Sequence, residues 1–75
     1  MWFAASLVNG KKKAEEEGTR AELRVMFNAD NIKMLVENKD EPDTTMVVFK
    51  DGTQNALIKG SYEQNSKILY GFNRK

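Results

Sequence analysis

The strictest pattern in the chain lies in the segment Ala21 to Asn28, where apolar and polar side chains alternate. Leu23, Val25 and Phe27 fall on one face of this segment when it is extended. A period of two is typical of a β-strand with one face against a core. The pattern therefore predicts a strand, and with it a sheet to which the strand belongs.

Four further segments are also typical of strands, because they are short, apolar or β-branched, and bounded by turn-forming residues. They are Trp2–Val8, Ile32–Glu37, Thr44–Lys50 and about Gln54–Gly60. A helical turn is predicted at 29–32, between the second and third strands. Asp51-Gly52 separates the last two strands and predicts a hairpin with a type I′ turn, in which both central residues have positive φ.

The segment after the last strand predicts a C-terminal helix. Ser61-Tyr62-Glu63-Gln64 has the spacing of a capping box, in which the Ser61 hydroxyl accepts from the Gln64 N–H and the Gln64 side chain reaches back. The helix therefore begins at Tyr62, with Ser66 and Leu69 on the same face. Gly71 is predicted to end it as a left-handed cap.

Two polar segments are predicted to be loops. Lys11 to Gly18 places cations at its N-terminal end and anions at its C-terminal end, which opposes a helix dipole. A charged flexible loop, or one weak helical turn, is expected at about 10–20. Residues 38–43 are wholly polar and contain Pro42, the single proline of the chain.

The 75 residues are expected to form a single small β-rich domain of the α+β class. The predicted fold is an antiparallel meander of about five strands with one C-terminal α-helix packed on the sheet. So small a domain needs nearly all its large apolar side chains in its core. The predicted aromatic core residues are Trp2, Phe3, Phe27, Phe49, Tyr62 and Phe72.

The absence of two residue types restricts the chemistry of this chain. It contains no cysteine, and therefore no thiol nucleophile or zinc-thiolate ligand, and it contains no histidine, the commonest general base. We expect no catalytic residue, metal site or cofactor, and no enzyme activity. The absence of cysteine favours a cytoplasmic location. The apolar opening segment is too short for a membrane helix, so no membrane is expected as a partner.

The cationic residues form the candidate contacts for phosphate or nucleic acid. They are Lys11, Lys12, Lys13, Arg20, Arg24, Arg74 and Lys75. Glu15, Glu16, Glu17 and Glu22 lie among the first of these, and the net charge is only +1. A solvated, charge-balanced surface is therefore the favoured interpretation, and nucleic-acid binding is not expected.

Three methionines are the candidate partner surface. Met26, Met34 and Met46 fall in strands at positions where the pattern does not clearly bury them. Exposed methionines form adaptable binding or oligomer surfaces, whereas buried ones fill gaps in a core. Both interpretations remain open from the sequence. We expect a protein partner and a homo-oligomer that forms through an uncovered strand edge or a methionine-bearing face.

A series of turn, strand-end and cap residues from Phe27 onward resembles the small flagellar and swarming motility proteins of the FlbD type. The matching residues are Asn28-Ala29-Asp30, Ile32, Leu35, Glu37, Pro42-Asp43-Thr44, Val47, Phe49, Gly52, Ile58-Lys59, Ser61, Glu63 and Lys67. The resemblance covers about two thirds of the chain and implies a non-enzymatic adaptor or regulator that binds protein.

Two other functions fit a small domain without catalytic groups. One is a phage or mobile-element inhibitor that blocks a host protein or sequesters a small ligand. The other is DNA binding, because domains of the LytTR type have a similar strand, hairpin and helix ending. Sequence-specific DNA binding predicts a clustered basic face, which the balance of charges does not favour.

Overall fold

The computed structural model describes residues 1–73, without the side chains of residues 11–13, 72 and 73. Within that range it contains five strands, two helices and one 3-10 turn. They are β1 (Trp2–Val8), α1 (Lys11–Glu17), β2 (Glu22–Asn28), the 3-10 turn (Ala29–Asn31), β3 (Ile32–Glu37), β4 (Thr44–Phe49), β5 (Ala56–Lys59) and α2 (Tyr62–Asn73). The predicted α+β class, the five strands, the 29–32 turn and the C-terminal helix are confirmed. The predicted meander is interrupted between β2 and β3, which are not paired, because β1 pairs with β5 instead.

The sheet is strongly curled, as its connectivity requires. The strand order is β2-β1-β5-β4-β3, with antiparallel pairing throughout, so β2 and β3 are its two edges. In a flat sheet these edges would lie roughly 19 Å apart, four spacings of about 4.8 Å. The three-residue connection from Asn28 to Ile32 reaches at most about 14 Å. The edges must therefore bend toward each other.

A contact between two aromatic rings agrees with this curvature. The ring centroids of Phe27 and Phe49 are 5.1 Å apart, although β2 and β4 are separated by two other strands. The concave side of the sheet is thus the inside of the molecule. Its core consists of Phe3, Ala29, Ile32, Val47, Phe49 and Ile58.

The C-terminal helix α2 lies against the concave side of the sheet, over β3 and β4. The predicted capping box is confirmed, because the Gln64 N–H donates to Ser61 Oγ at 3.1 Å and the Ser61 N–H donates to Gln64 Oε1 at 3.0 Å. The prediction for Gly71 is wrong, since it has no positive φ and the helix continues to Asn73. The helix therefore passes through Gly71 within the described residues.

The prediction of a loop before β2 also needs correction, because Lys11–Glu17 is a two-turn helix. Its unfavourable charge order is offset by contacts of one neighbouring residue. The Asn9 amide donates to Glu17 Oε1 at 3.1 Å, and the Ala21 N–H donates to Asn9 Oδ1 at 3.1 Å. Asn9, which precedes the helix, is thereby bonded to its last residue and to the chain beyond it. The helix propensity of residues 11–17 alone does not predict these contacts.

The hairpin between β4 and β5 is confirmed, but its turn differs from the predicted type I′. Gly52 has a φ of 82°, whereas no residue other than glycine has a positive φ in residues 1–73. Asp51 instead accepts from the Thr53 N–H at 2.9 Å and from the Asn31 amide at 3.0 Å. A side-chain turn held by these bonds replaces the tight backbone turn, and β5 begins at Ala56.

Two of the predicted core aromatics are not in the core. Trp2 is 59% exposed because it points to the convex side of the sheet, opposite to its neighbour Phe3. Tyr62 is also exposed, because α2 turns Asn65 and Leu69 inward instead. Phe3 and Phe49 are buried and Phe27 is half-buried. The prediction for Phe72 lies outside the described side chains.

Candidate functional site

The convex side of the sheet carries a continuous apolar surface, which we call the outer patch. It consists of Met34, Val36, Met46, Val48 and Leu57, from three adjacent strands. All five alternate with core residues of the same strands and therefore point away from the core.

The register of β3, β4 and β5 fixes the contacts within the outer patch. Met34 lies opposite Val48, Val36 lies opposite Met46, and Met46 also lies opposite Leu57. Met34 is 48% exposed and Val36 41% exposed, whereas the other three are half-buried by their neighbours. The five side chains of the outer patch are themselves uncharged. Two polar groups border it: Lys59, on the same face of β5 as Leu57, pairs with Glu22, and the Asn55 amide donates to Met46 Sδ at 3.7 Å.

A polar cluster closes one end of the outer patch. Thr44, two positions before Met46 on β4, is buried and donates to the Glu41 carbonyl at 2.8 Å. The Arg20 guanidinium forms an ion pair with the Glu41 carboxylate and donates to the Asn9 carbonyl at 2.7 Å. These bonds tie residues 38–43 to the start of β2 and leave the outer patch uncovered beyond Thr44.

The structure brings together two of the three predicted methionines. Met34 and Met46 are diagonal neighbours in the outer patch. Met26 lies on the opposite edge strand, where it is 63% exposed and diagonal to Trp2 on the convex side. The predicted methionine surface is therefore divided between two places on the sheet.

An open groove of about 730 Å³ lies between α2 and the β1–β2 pair. The small side chains of Ala5 and Val25 lie along it, and Ile68 of α2, 48% exposed, lines it as well. Arg24 and Lys59 are its cationic lining residues, and Lys59 is paired with Glu22 at 3.1 Å.

The candidate cationic residues do not form a single surface where they are described. The Arg20 guanidinium is occupied within the domain by Glu41 and Asn9, whereas Arg24 is exposed on β2. The predictions for Lys11, Lys12, Lys13, Arg74 and Lys75 concern side chains outside the described part.

The predicted turn residue Asp51 has a perturbed carboxyl group. Hydrogen bonds from the side chain and backbone of Thr53, and then from the Asn31 amide, lower the pKa of Asp51 below its ordinary value of 3.8. A lowered folded-state pKa means that these bonds stabilise the fold above the unfolded pKa and lose their effect as the pH falls through the folded pKa.

We expect the Asp51 carboxyl carbon to titrate below pH 3.8 in the folded protein when followed by NMR, because the donors favour the anion. Thr53→Val removes the hydroxyl donor and should move the midpoint up toward 3.8, whereas Thr53→Ser keeps a hydroxyl and should not. A wild-type midpoint at or above 3.8 would contradict this assignment.

Neither a metal site nor a membrane helix is found in the described part of the chain. No group of three histidine, cysteine, aspartate or glutamate residues there is arranged to hold a metal ion. Likewise, none of the helices in that part is long and apolar enough to span a bilayer.

Comparisons with protein-family models, with curated proteins and with solved structures gave no match for this chain.

Three members of the outer patch, Val36, Val48 and Leu57, were not among the predicted candidates. A signal for them exists in β4, whose residues Thr44–Phe49 are apolar or β-branched on both faces of the strand. A strand that is apolar on both faces is typically buried on both faces. In this fold only the concave face of β4 is covered, so its convex face is left open. The inward position of Asn65 on α2 has no comparable signal in the sequence.

Proposed function

We propose that this chain is a non-enzymatic protein-binding domain that binds another protein through the outer patch. The observation that carries the proposal is the unbroken apolar surface of Met34, Val36, Met46, Val48 and Leu57 on the side of the sheet facing away from the core. Contiguous apolar patches of this kind on small proteins mark interaction sites.

The chemistry of the patch defines the kind of partner. Its lack of charged side chains favours an apolar, uncharged contact surface, because a charged group placed there would lose its hydration without gaining a partner. Its two methionines have flexible, polarisable side chains that adapt to irregular shapes. The partner is therefore another protein with an apolar surface. It is expected to contact Met34 and Val36, the two most exposed residues of the outer patch.

The biological setting of such a domain follows the expectations from the sequence. A motility adaptor of the FlbD-like type is the first candidate, and a phage or mobile-element inhibitor that covers a host protein is the second. The neighbouring genes separate the two, because an adaptor would lie among flagellar genes and an inhibitor in a prophage or beside defence genes. DNA binding is the third candidate and would require an affinity that falls steeply with salt.

The test uses a photo-crosslinking amino acid placed at Met34, at Val36 or, as a control, at the exposed loop residue Gln54. We expect the two patch positions to capture the same protein in cells and position 54 to capture none of it. With that protein purified, Met34→Lys should weaken binding by about tenfold or more. The reason is that a methionine buried by the partner in the complex is replaced by an unpaired charge.

The matched control is Met26→Lys, the same change at an exposed methionine outside the outer patch. It should leave the affinity for the partner unchanged. Equal effects of the two substitutions, or different captured proteins at positions 34 and 36, would contradict binding through the outer patch.

A further inference from the structure

The two edges of the sheet differ in how well they are protected against another strand. The register of β3 against β4 shifts between Ile32 and Met34, and the extra residue, Lys33, is exposed. A bulge and an exposed lysine are devices that block pairing at a sheet edge. The other edge, β2, pairs with β1 over seven residues in an unbroken register and contains neither glycine nor proline.

The backbone groups on the free side of β2 can be identified. The Ala29 N–H donates to the Met1 carbonyl at 2.8 Å, in line with the register that pairs β1 with β2. Since bonded pairs alternate in an antiparallel ladder, residues 23, 25 and 27 bond to β1. The N–H and C=O groups of residues 22, 24, 26 and 28 therefore point away from the sheet, toward the free edge.

Exposed apolar side chains lie on both faces of this edge. Leu23 on the concave side and Met26 on the convex side are each 63% exposed. A strand added beside β2 would contact both side chains and would also form hydrogen bonds with the free N–H and C=O groups of β2. The added strand is therefore favoured by burial as well as by backbone pairing.

We propose that β2 pairs with β2 of a second copy of this chain, antiparallel about a two-fold axis at Val25. This alignment uses all seven residues and places Leu23 opposite Phe27 of the other copy, and Arg24 opposite Met26 of the other copy. No like charges face each other. A parallel in-register pair would instead place Glu22 and Arg24 beside their own copies, which is unfavourable.

The interface is small, so the dimer is reversible. A seven-residue strand is about 24 Å long, and one pair of strands covers less than the roughly 800 Å² per partner of a standard interface. The outer patch lies on β3 to β5 and remains free in the dimer. Self-association through β2 is thus independent of the proposed binding through the outer patch.

Sedimentation velocity of the full chain, from about 10 µM to about 1 mM, tests the dimer. Met26→Lys places a lysine opposite Arg24 of the other copy, twice per dimer, and should raise the dissociation constant by about tenfold or more. Adding Arg24→Glu to it places opposite charges at the same two positions. The double variant should return the constant to within about threefold of wild type.

The control is Met34→Lys on the protected edge, which should leave the dimer intact, and circular dichroism of each variant checks that the fold is kept. A wild-type monomer at all concentrations, a dimer unaffected by Met26→Lys, or a double variant no better than the single one would each overturn the proposal. Loss of the dimer in Met34→Lys would place self-association on the outer patch instead and would overturn it too.

Discussion

Replacing Gly60 with alanine is expected to destabilise the domain by about 3 kcal/mol, which lowers its melting temperature by roughly 15 °C. Gly60 has a φ of 104°, which L side chains rarely adopt, and a Cβ there would lie 2.9 Å from Asn65 Nδ2. That amide donates to Thr45 Oγ1, the Lys59 carbonyl and the Ser61 carbonyl at 3.1–3.3 Å. The substitution therefore adds backbone strain and disturbs a buried hydrogen-bond group.

Two other glycines separate these causes. Gly52→Ala has the same kind of strain, at a φ of 82°, but no neighbouring atom within 4 Å, so about 1 kcal/mol is expected. Gly10 has a φ of −63° and open space around it, so Gly10→Ala should be neutral or slightly stabilising. Thermal and urea unfolding give the three values. Similar losses for Gly60→Ala and Gly52→Ala would contradict the role of Asn65.

Truncation to alanine is expected to cost more unfolding free energy at Phe3 than at its larger neighbour Trp2. Phe3→Ala is expected to cost about 3–5 kcal/mol, enough to unfold much of a 75-residue domain, because Phe3 is completely buried in the concave core. Trp2→Ala is expected to cost less than about 1 kcal/mol, since Trp2 is 59% exposed on the convex side.

Urea unfolding of both variants measures the difference. Phe3→Leu serves as the control, because it keeps an apolar side chain in the core and should recover more than half of the loss. A larger loss for Trp2→Ala than for Phe3→Ala would mean that the two faces of β1 are assigned the wrong way round.

These two residues also illustrate how far the sequence predicts the fold. Alternation places Trp2 and Phe3 on opposite faces of a strand, but it does not state which face the rest of the chain covers. The bounds of β1 and β3 and the capping box at Ser61 are local properties, and all were predicted correctly. Which face becomes the core depends on the curl of the sheet, which follows from strand order.

The misplaced elements have the same cause. The helix α1 depends on Asn9, which precedes it and bonds to Glu17 at its end and to Ala21 beyond it. The turn at Asp51 depends on Asn31, the residue before β3. Both contacts join residues that are distant in sequence. For the same reason the outer patch was only partly predicted, since Met34 and Met46 become neighbours through pairing of β3 with β4.

The junction of β1 with β5, where Leu7 lies opposite Ile58, joins strands that are far apart in the sequence and is expected to limit the folding rate. The pairs β1–β2, β3–β4 and β4–β5 each join strands that are consecutive in the sequence. Such local pieces form early at a small entropic cost, whereas the Leu7–Ile58 junction must close a loop spanning most of the chain. We expect that closure to be the slow step, so that variants at the junction alter the folding rate in stopped-flow refolding more than variants within the three local strand pairs.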